Sequence, residues 1–281
     1  MISMLKTPSD VIPLLEDDTA RHAFHISLTE DPYKDFTIWV ASYDDAWKMR
    51  AAVVLYCRCD PCVVLTAGSA EGVTEIFSHL AMLPPRVSCY VPFDHVQALS
   101  SRYRWKQERS MVRMQLDTCA FIESGATSGV MVEQLVQKDL PAIKSLYQHA
   151  ERFCVDGYQL LSGNYYGVRS GQDIISSAAV HCMSKEQGVA VVGNVVTHPS
   201  HRRGGLAAEC LATTLDSLLP AIDTIVLTVE EENQSARALY EKMGFVEHSR
   251  FVEGRGRLFR PTGKIGPPSR LKHGAAAVAV T

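Results

Sequence analysis

The chain has 281 residues, 46% of them hydrophobic and 21% charged, with a formal net charge of −3. That is enough apolar material for one large or two ordinary cores, and it excludes global disorder. No basic excess or stripe of the kind a nucleic-acid-binding domain carries is evident, and no apolar run approaches the roughly 20 residues of a membrane helix. The first ten residues lack the basic-then-apolar layout of a secretory signal, so a cytoplasmic protein without nucleic-acid or membrane partners is expected.

The first block, residues 1–122, mixes short elements. Residues 11–16 and 19–28 suit helices, and 36–41, 52–59 and 62–67 suit strands. Residues 70–83 read as a helix with Val73, Ile76, Phe77, Leu80 and Leu83 on one face. A strand at 87–91, a short helix at 95–103 and a strand at 109–116 complete it. The chain has eight cysteines, expected free and buried rather than bridged. Cys57, Cys59 and Cys62 lack the spacing of a structural zinc pair, so the reading is two strands turning at Asp60 and Pro61, with no metal.

Residues 123–129 are small and polar, the composition of a linker. In the second block, 130–262, a strand at 130–136 precedes a helix at 140–149. Strands at 165–169 and 174–183 flank a turn at 170–173, and a strand at 189–197 follows. A helix at 208–219, a strand at 224–229, a helix at 235–243 and a strand at 245–252 end the block. This alternation predicts a mixed α/β sheet. A faint echo links 90–105 with 228–245 in strand–helix–strand order. Residues 263–281 read as an extension.

The loop Arg202-Arg-Gly-Gly-Leu-Ala207 lies at the carboxyl end of a strand and opens a helix, where open α/β sheets place ligands. A helix start has unpaired N–H groups and the positive end of a dipole. Successive N–H groups of Arg203, Gly204, Gly205, Leu206, Ala207 and Ala208 would form a nest for a pyrophosphate, although a glycine turn with solvated arginines fits the same six residues. Further on, Asn233 suits a helix N-cap, Ala236, Leu239, Tyr240 and Met243 form an inward stripe, and Gly244 ends the helix.

In this order and separation, the two motifs resemble the GCN5-related N-acetyltransferase (GNAT) superfamily. Tyr165-Tyr-Gly-Val-Arg169, Ala179-Val-His181, the run from Gly188 to Pro199 and Leu239-Tyr-Glu-Lys-Met-Gly-Phe245 are similar to its FR47-like branch. The resemblance covers about 130–262 and implies two tandem GNAT-like halves, the N-terminal one degenerate. It also implies acetyl-CoA as acyl donor, with its pyrophosphate on the N–H groups of residues 203–208. The pantetheine arm would pair with Val195, Val196 and Thr197, with Asn233 nearby. The Val196 N–H is expected to stabilise the oxyanion and Tyr240 to protonate the departing thiolate.

Two departures stand out. The usual Arg-Gly-x-Gly loop is Arg-Arg-Gly-Gly here, so Arg203 would be strained by on the order of 1 kcal/mol if its position needs a positive φ. The strand before the loop also carries Asn194, which cannot act as a base, where relatives often have glutamate. His181, Glu230, Glu232 or a water chain remain as candidates. The expected activity is direct N-acyl transfer to a small-molecule or peptide amine. Tyr165, Tyr166 and Arg169 are the candidates for the acceptor side. The alternative is a catalytically silent CoA-binding module.

Overall fold

The structure, a computed structural model, describes residues 1–81, 83–124, 130–148 and 157–259. In chain order its strands and α-helices are β1 (Ile2–Met4), α1 (Ile12–Leu15), α2 (Thr19–Ser27), β2 (Thr37–Tyr43), β3 (Met49–Tyr56), β4 (Cys62–Gly68), α3 (Ala70–His79), β5 (Arg86–Val91), α4 (Val96–Ser100), β6 (Tyr103–Leu116) and α5 (Thr118–Ser124). Then follow β7 (Glu133–Gln134), α6 (Leu140–Tyr147), α7 (Gly157–Leu161), β8 (Tyr165–Ser170), β9 (Asp173–Ser184), β10 (Val189–Thr197), α8 (Leu206–Leu218), β11 (Thr224–Glu230), α9 (Gln234–Lys242) and β12 (Phe245–Leu258).

Packing divides the chain into two units. Among the described residues, the first comprises Met1–Asp17, Lys34–Ser110 and 250–259, and the second comprises Asp18–Tyr33 and those within Met111–Ser249. In the first, β2, β3 and β4 pair antiparallel in turn and β4 pairs parallel with β5. Residues Val252 to Arg257 of β12 then close the order antiparallel to β5. In the second, β8, β9 and β10 pair antiparallel, β10 pairs parallel with β11, and residues Met111 to Gln115 of β6 lie antiparallel to β11. The two strand patterns are the same, which is the structural form of the faint sequence echo.

The linear division expected at 123–129 is therefore not the division by packing. β6 begins in the first unit and supplies the last strand of the second, and β12 does the reverse. Helix α2 also belongs to the second unit and lies against β9, β10 and β11. Residues 125–129 of the expected linker and all of 263–281 fall outside the described residues.

In the second unit, side-chain alternation gives the sheet two apolar faces. Ala178, Val180, Ala190, Val192, Ile225 and Leu227 pack with Cys210, Leu211 and Leu215 of α8 and with Tyr240 and Met243 of α9. Behind the sheet, Ile143, Leu146 and Tyr147 of α6 and Leu160 of α7 pack on Tyr165, Ile174 and Ala179. In the first unit, Cys57 and Cys62 are joined as a disulfide. This corrects the expectation that both are free: the turn after β3 brings its two ends together at the start of β4.

Ile26 of α2 is 1% exposed, although it lies more than a hundred residues before the loop of interest. Ile26→Ala is expected to destabilise the protein by about 2–4 kcal/mol, the cost of a core truncation, as measured by urea unfolding.

Candidate acyl-CoA site

β10 and β11 pair in parallel from Val189↔Thr224 to Val192↔Leu227 and no further. Beyond that point β11 continues along β6 to Glu230, while β10 continues along β9 to Thr197. The two strands part, leaving the β11-facing backbone edge of β10 without a strand neighbour. A groove of about 640 Å³ lies at the parting. Val195, Val196, Thr197, Arg202, Arg203, Gly205, Leu206, Ala207, Ala208, Asn233 and Tyr240 all line it. Of the residues expected to hold the donor, only Gly204 does not line it.

The loop folds as its glycines require. Gly205, the N-cap of α8, has φ +79° and open space where a Cβ would stand. Arg203 has φ 67°, so the strained geometry anticipated for a non-glycine residue is present. The Arg202 side chain turns back, its Nε donating to the Thr197 carbonyl at 3.3 Å. The first-turn N–H groups of Leu206, Ala207 and Ala208 have no intrahelical acceptor and open toward the groove, which suits an anion.

On the far wall, Asn233 caps α9, its Oδ1 accepting from the Ala236 N–H at 3.2 Å and the Ser235 hydroxyl at 3.1 Å. Its Nδ2 is the end left to face a ligand. Burial pushes the Tyr240 phenol up to about 12, so it stays protonated throughout the neutral range.

The register of β10 settles which backbone N–H groups face the groove. Gly193 pairs with Ala179 and Val196 with Ser177, so β10 has one residue more than β9 between these points, a β-bulge. Asn194, within it, has φ 56°. His198 N–H donates to the Ile175 carbonyl at 2.8 Å. Two residues back, with regular pairing between, Val196 stands in the same hydrogen-bonded relation to Ser177, so its N–H points to β9. This corrects the expectation that Val196 N–H serves an oxyanion. The Asn194 carbonyl accepts from Tyr147 at 2.7 Å and Ser177 at 3.2 Å. Across a planar trans peptide, the Val195 N–H points the opposite way, and Val195 lines the groove.

The candidate bases fare differently. His181 is the extra residue of a second bulge, between Val191↔Cys182 and Val192↔Val180. Its Nδ1 lies 3.0 Å from Gln159 Nε2, while Gln159 Oε1 accepts from Asn194 Nδ2 at 2.9 Å. The Gln159 amide must donate to Nδ1, so the imidazole proton sits on Nε2. Burial pulls His181 down to about 4. Glu230, half-buried at the end of β11, does not line the groove. Neither His181 nor Glu230 is brought together with Tyr240 in the groove lining. Of the acceptor-side candidates, Tyr165 is fully buried and Arg169 is held by Glu133 at 2.6 Å and Asp139 at 3.0 Å.

The His181 arrangement predicts a pH effect. An unfolded histidine titrates near 6.5, so between about pH 6.5 and 4 the folded state binds fewer protons. Stability present above pH 6.5 is lost as pH falls through 4. The wild type is expected to lose on the order of 3 kcal/mol more than His181→Gln over that interval in chemical denaturation.

Residues 131–245 match the Acetyltransferase (GNAT) family. No curated protein matches the sequence. Among solved structures, a protein of Drosophila melanogaster aligns over 92% of this chain and 98% of its own, with a TM-score of 0.70 at 14% identity. A tandem GNAT protein from the clavulanic acid biosynthesis pathway aligns over 93% of this chain and 100% of its own, with a TM-score of 0.57 at 11% identity. A GCN5-related N-acetyltransferase from Sphaerobacter thermophilus covers 94% of this chain and 98% of its own, with a TM-score of 0.57 at 14% identity. The fold is thus the mixed α/β GNAT fold, carried through two halves, and residues 131–245 belong to the acetyltransferase (GNAT) family.

Proposed function

We propose that the protein transfers an acetyl group from acetyl-CoA to a primary amine by direct attack. The observation that carries this reading is the parting of β10 from β11 directly above the αL loop that opens α8. A pantetheine arm needs an unpaired strand edge, and a pyrophosphate needs a cluster of N–H groups with nearby positive charge. The groove offers both within one lining, with Arg202 and Arg203 beside the N–H groups. When bound, acetyl-CoA supplies a thioester, a carbonyl activated by its sulfur leaving group.

The chain's own groups then have these roles. The Val195 N–H donates to the thioester oxygen as it gains charge on attack by the amine nitrogen. Tyr240 donates a hydrogen bond to the thiolate released as the carbon–sulfur bond breaks. Full proton transfer from a phenol near 12 to an ordinary thiolate runs against roughly 3 pH units, so Tyr240 acts chiefly as a hydrogen-bond donor while solvent delivers the proton. The amine's proton leaves through water rather than to His181, whose Nδ1 already accepts from Gln159, or directly to Glu230, which stands outside the groove lining.

A second reading, a CoA-binding module without turnover, draws support from one observation. The strand position where relatives often have a glutamate carries Asn194, and its amide is committed to Gln159.

Calorimetric titration with acetyl-CoA is expected to show binding by the wild type and none by the Arg202→Ala/Gly205→Asp double variant, which removes a cation and places a carboxylate at the N–H nest. Absence of binding by the wild type would end the acyltransferase reading. With an accepted amine in hand, Tyr240→Phe is expected to lower kcat on the order of 10²-fold with little change in KM. Equal rates would remove Tyr240 from the chemistry, whereas acetyl-CoA binding with no turnover on any amine would favour the second reading.

A further inference from the structure

We propose that Tyr147 is a positioning residue for acyl transfer: its hydroxyl holds the Asn194–Val195 peptide so that the Val195 N–H faces the groove. The proposal rests on the acetyl-CoA reading above and adds to it the group that sets the donor's orientation. Tyr147 ends α6, on the opposite side of the sheet from the helix that opens at the loop, and it does not line the groove. Its hydroxyl stands 2.7 Å from the Asn194 carbonyl, 2.9 Å from the Tyr165 hydroxyl and 3.2 Å from the Ser177 hydroxyl, so it reaches the groove through the peptide it holds.

Asn194 is a non-glycine residue at φ 56°, a region that asparagine tolerates better than most residues but that still costs energy. Such a residue persists where its surroundings over-determine it. Here three hydrogen bonds do so. The Asn194 carbonyl takes two protons, from Tyr147 and from Ser177, and its side-chain amide donates to Gln159. All of these groups are buried, where an unmet carbonyl is costly.

The direction of the chain is fixed as well. The single proton of Tyr147 is given to the Asn194 carbonyl, so the Tyr165 hydroxyl, 2.9 Å away, donates to Tyr147. Tyr165 is fully buried, which leaves Tyr147 little room to swing. Removing the Tyr147 hydroxyl leaves Ser177 alone on the carbonyl, with a longer bond. The peptide between Asn194 and Val195 is then freer to rotate, and any rotation takes the Val195 N–H off the thioester oxygen. Groove contacts to the rest of CoA are untouched, since Tyr147 makes none of them.

The test separates acyl polarisation from cofactor binding. Tyr147→Phe and wild type are titrated with CoA and with acetyl-CoA, and the carbonyl resonance of carbonyl-13C-labelled acetyl-CoA is recorded in both complexes. The expected result is CoA affinity within about twofold of wild type, a downfield carbonyl shift on binding to wild type, and loss of that shift in Tyr147→Phe. With an accepted amine, kcat falls roughly tenfold or more at unchanged KM. Ser177→Ala, which removes the longer bond, moves the resonance less. An unchanged carbonyl shift in Tyr147→Phe would overturn the proposal while leaving the acetyl-CoA reading standing, whereas failure of the wild type to bind acetyl-CoA would remove both. If Tyr147→Phe does not fold, the wild-type Val195 amide is followed by 15N NMR. A downfield move with acetyl-CoA but not with CoA supports the proposal, and no difference between the two ligands overturns it.

Discussion

Everything at the groove depends on β10 and β11 ceasing to pair after Val192 and Leu227. A parallel pair inside a sheet would ordinarily continue, because each lost ladder bond leaves backbone groups to be satisfied elsewhere. Here two devices hold the strands apart. β11 stays paired with β6 on its other side as far as Glu230, so it keeps its course. β10 takes an extra residue against β9, and a bulge bends the strand and increases its local twist. The parting is thus built into the register, and the loop that follows inherits its position from it.

The energetic character of this region is unusual for a sheet interior. Hydroxyls, amides and an imidazole sit where apolar residues would pack at no polar cost. Each needs a partner, and the chain from Tyr165 through Tyr147 to Asn194, then Gln159 and His181, provides them. On the opposite side the loop holds a second residue outside the ordinary φ range, Arg203. Two non-glycine residues with positive φ thus bracket the turn from strand to helix, one deep and hydrogen-bonded, one at the surface beside positive charge.

The sequence made much of this readable. The strand 189–197, the glycine loop, the cap at Asn233 and the stripe around Tyr240 were all visible, because each is a local pattern of turn chemistry or period. Local pattern also explains the misses. The apolar stripe suggested a helix from 70 to 83, but Pro84 and Pro85 turn the chain away and Leu80 is already extended. The short helices α5 and α7 span too few residues to show a period. The polar chain was hidden for another reason: Tyr147 and Asn194 stand 47 positions apart, and nothing near either residue announces the other. The bulge that swaps Val195 for Val196 as the groove-facing donor likewise depends on a register count across two strands.

The exchange of last strands bears on how the protein is made. During synthesis the segment through Ser110 emerges early, yet the strand that lies beside β5 comes from residues 252–257. At about 5–20 residues per second, the ribosome needs several more seconds to deliver it. In that interval β5 is an open edge, the kind of template on which nascent chains pair wrongly. The later half can gather all its elements first, since helix α2 and the strand residues Met111–Gln115 are already out. The first half has no arginine in the loop after its own parallel strand, yet it carries the beginning of the strand whose end completes the second.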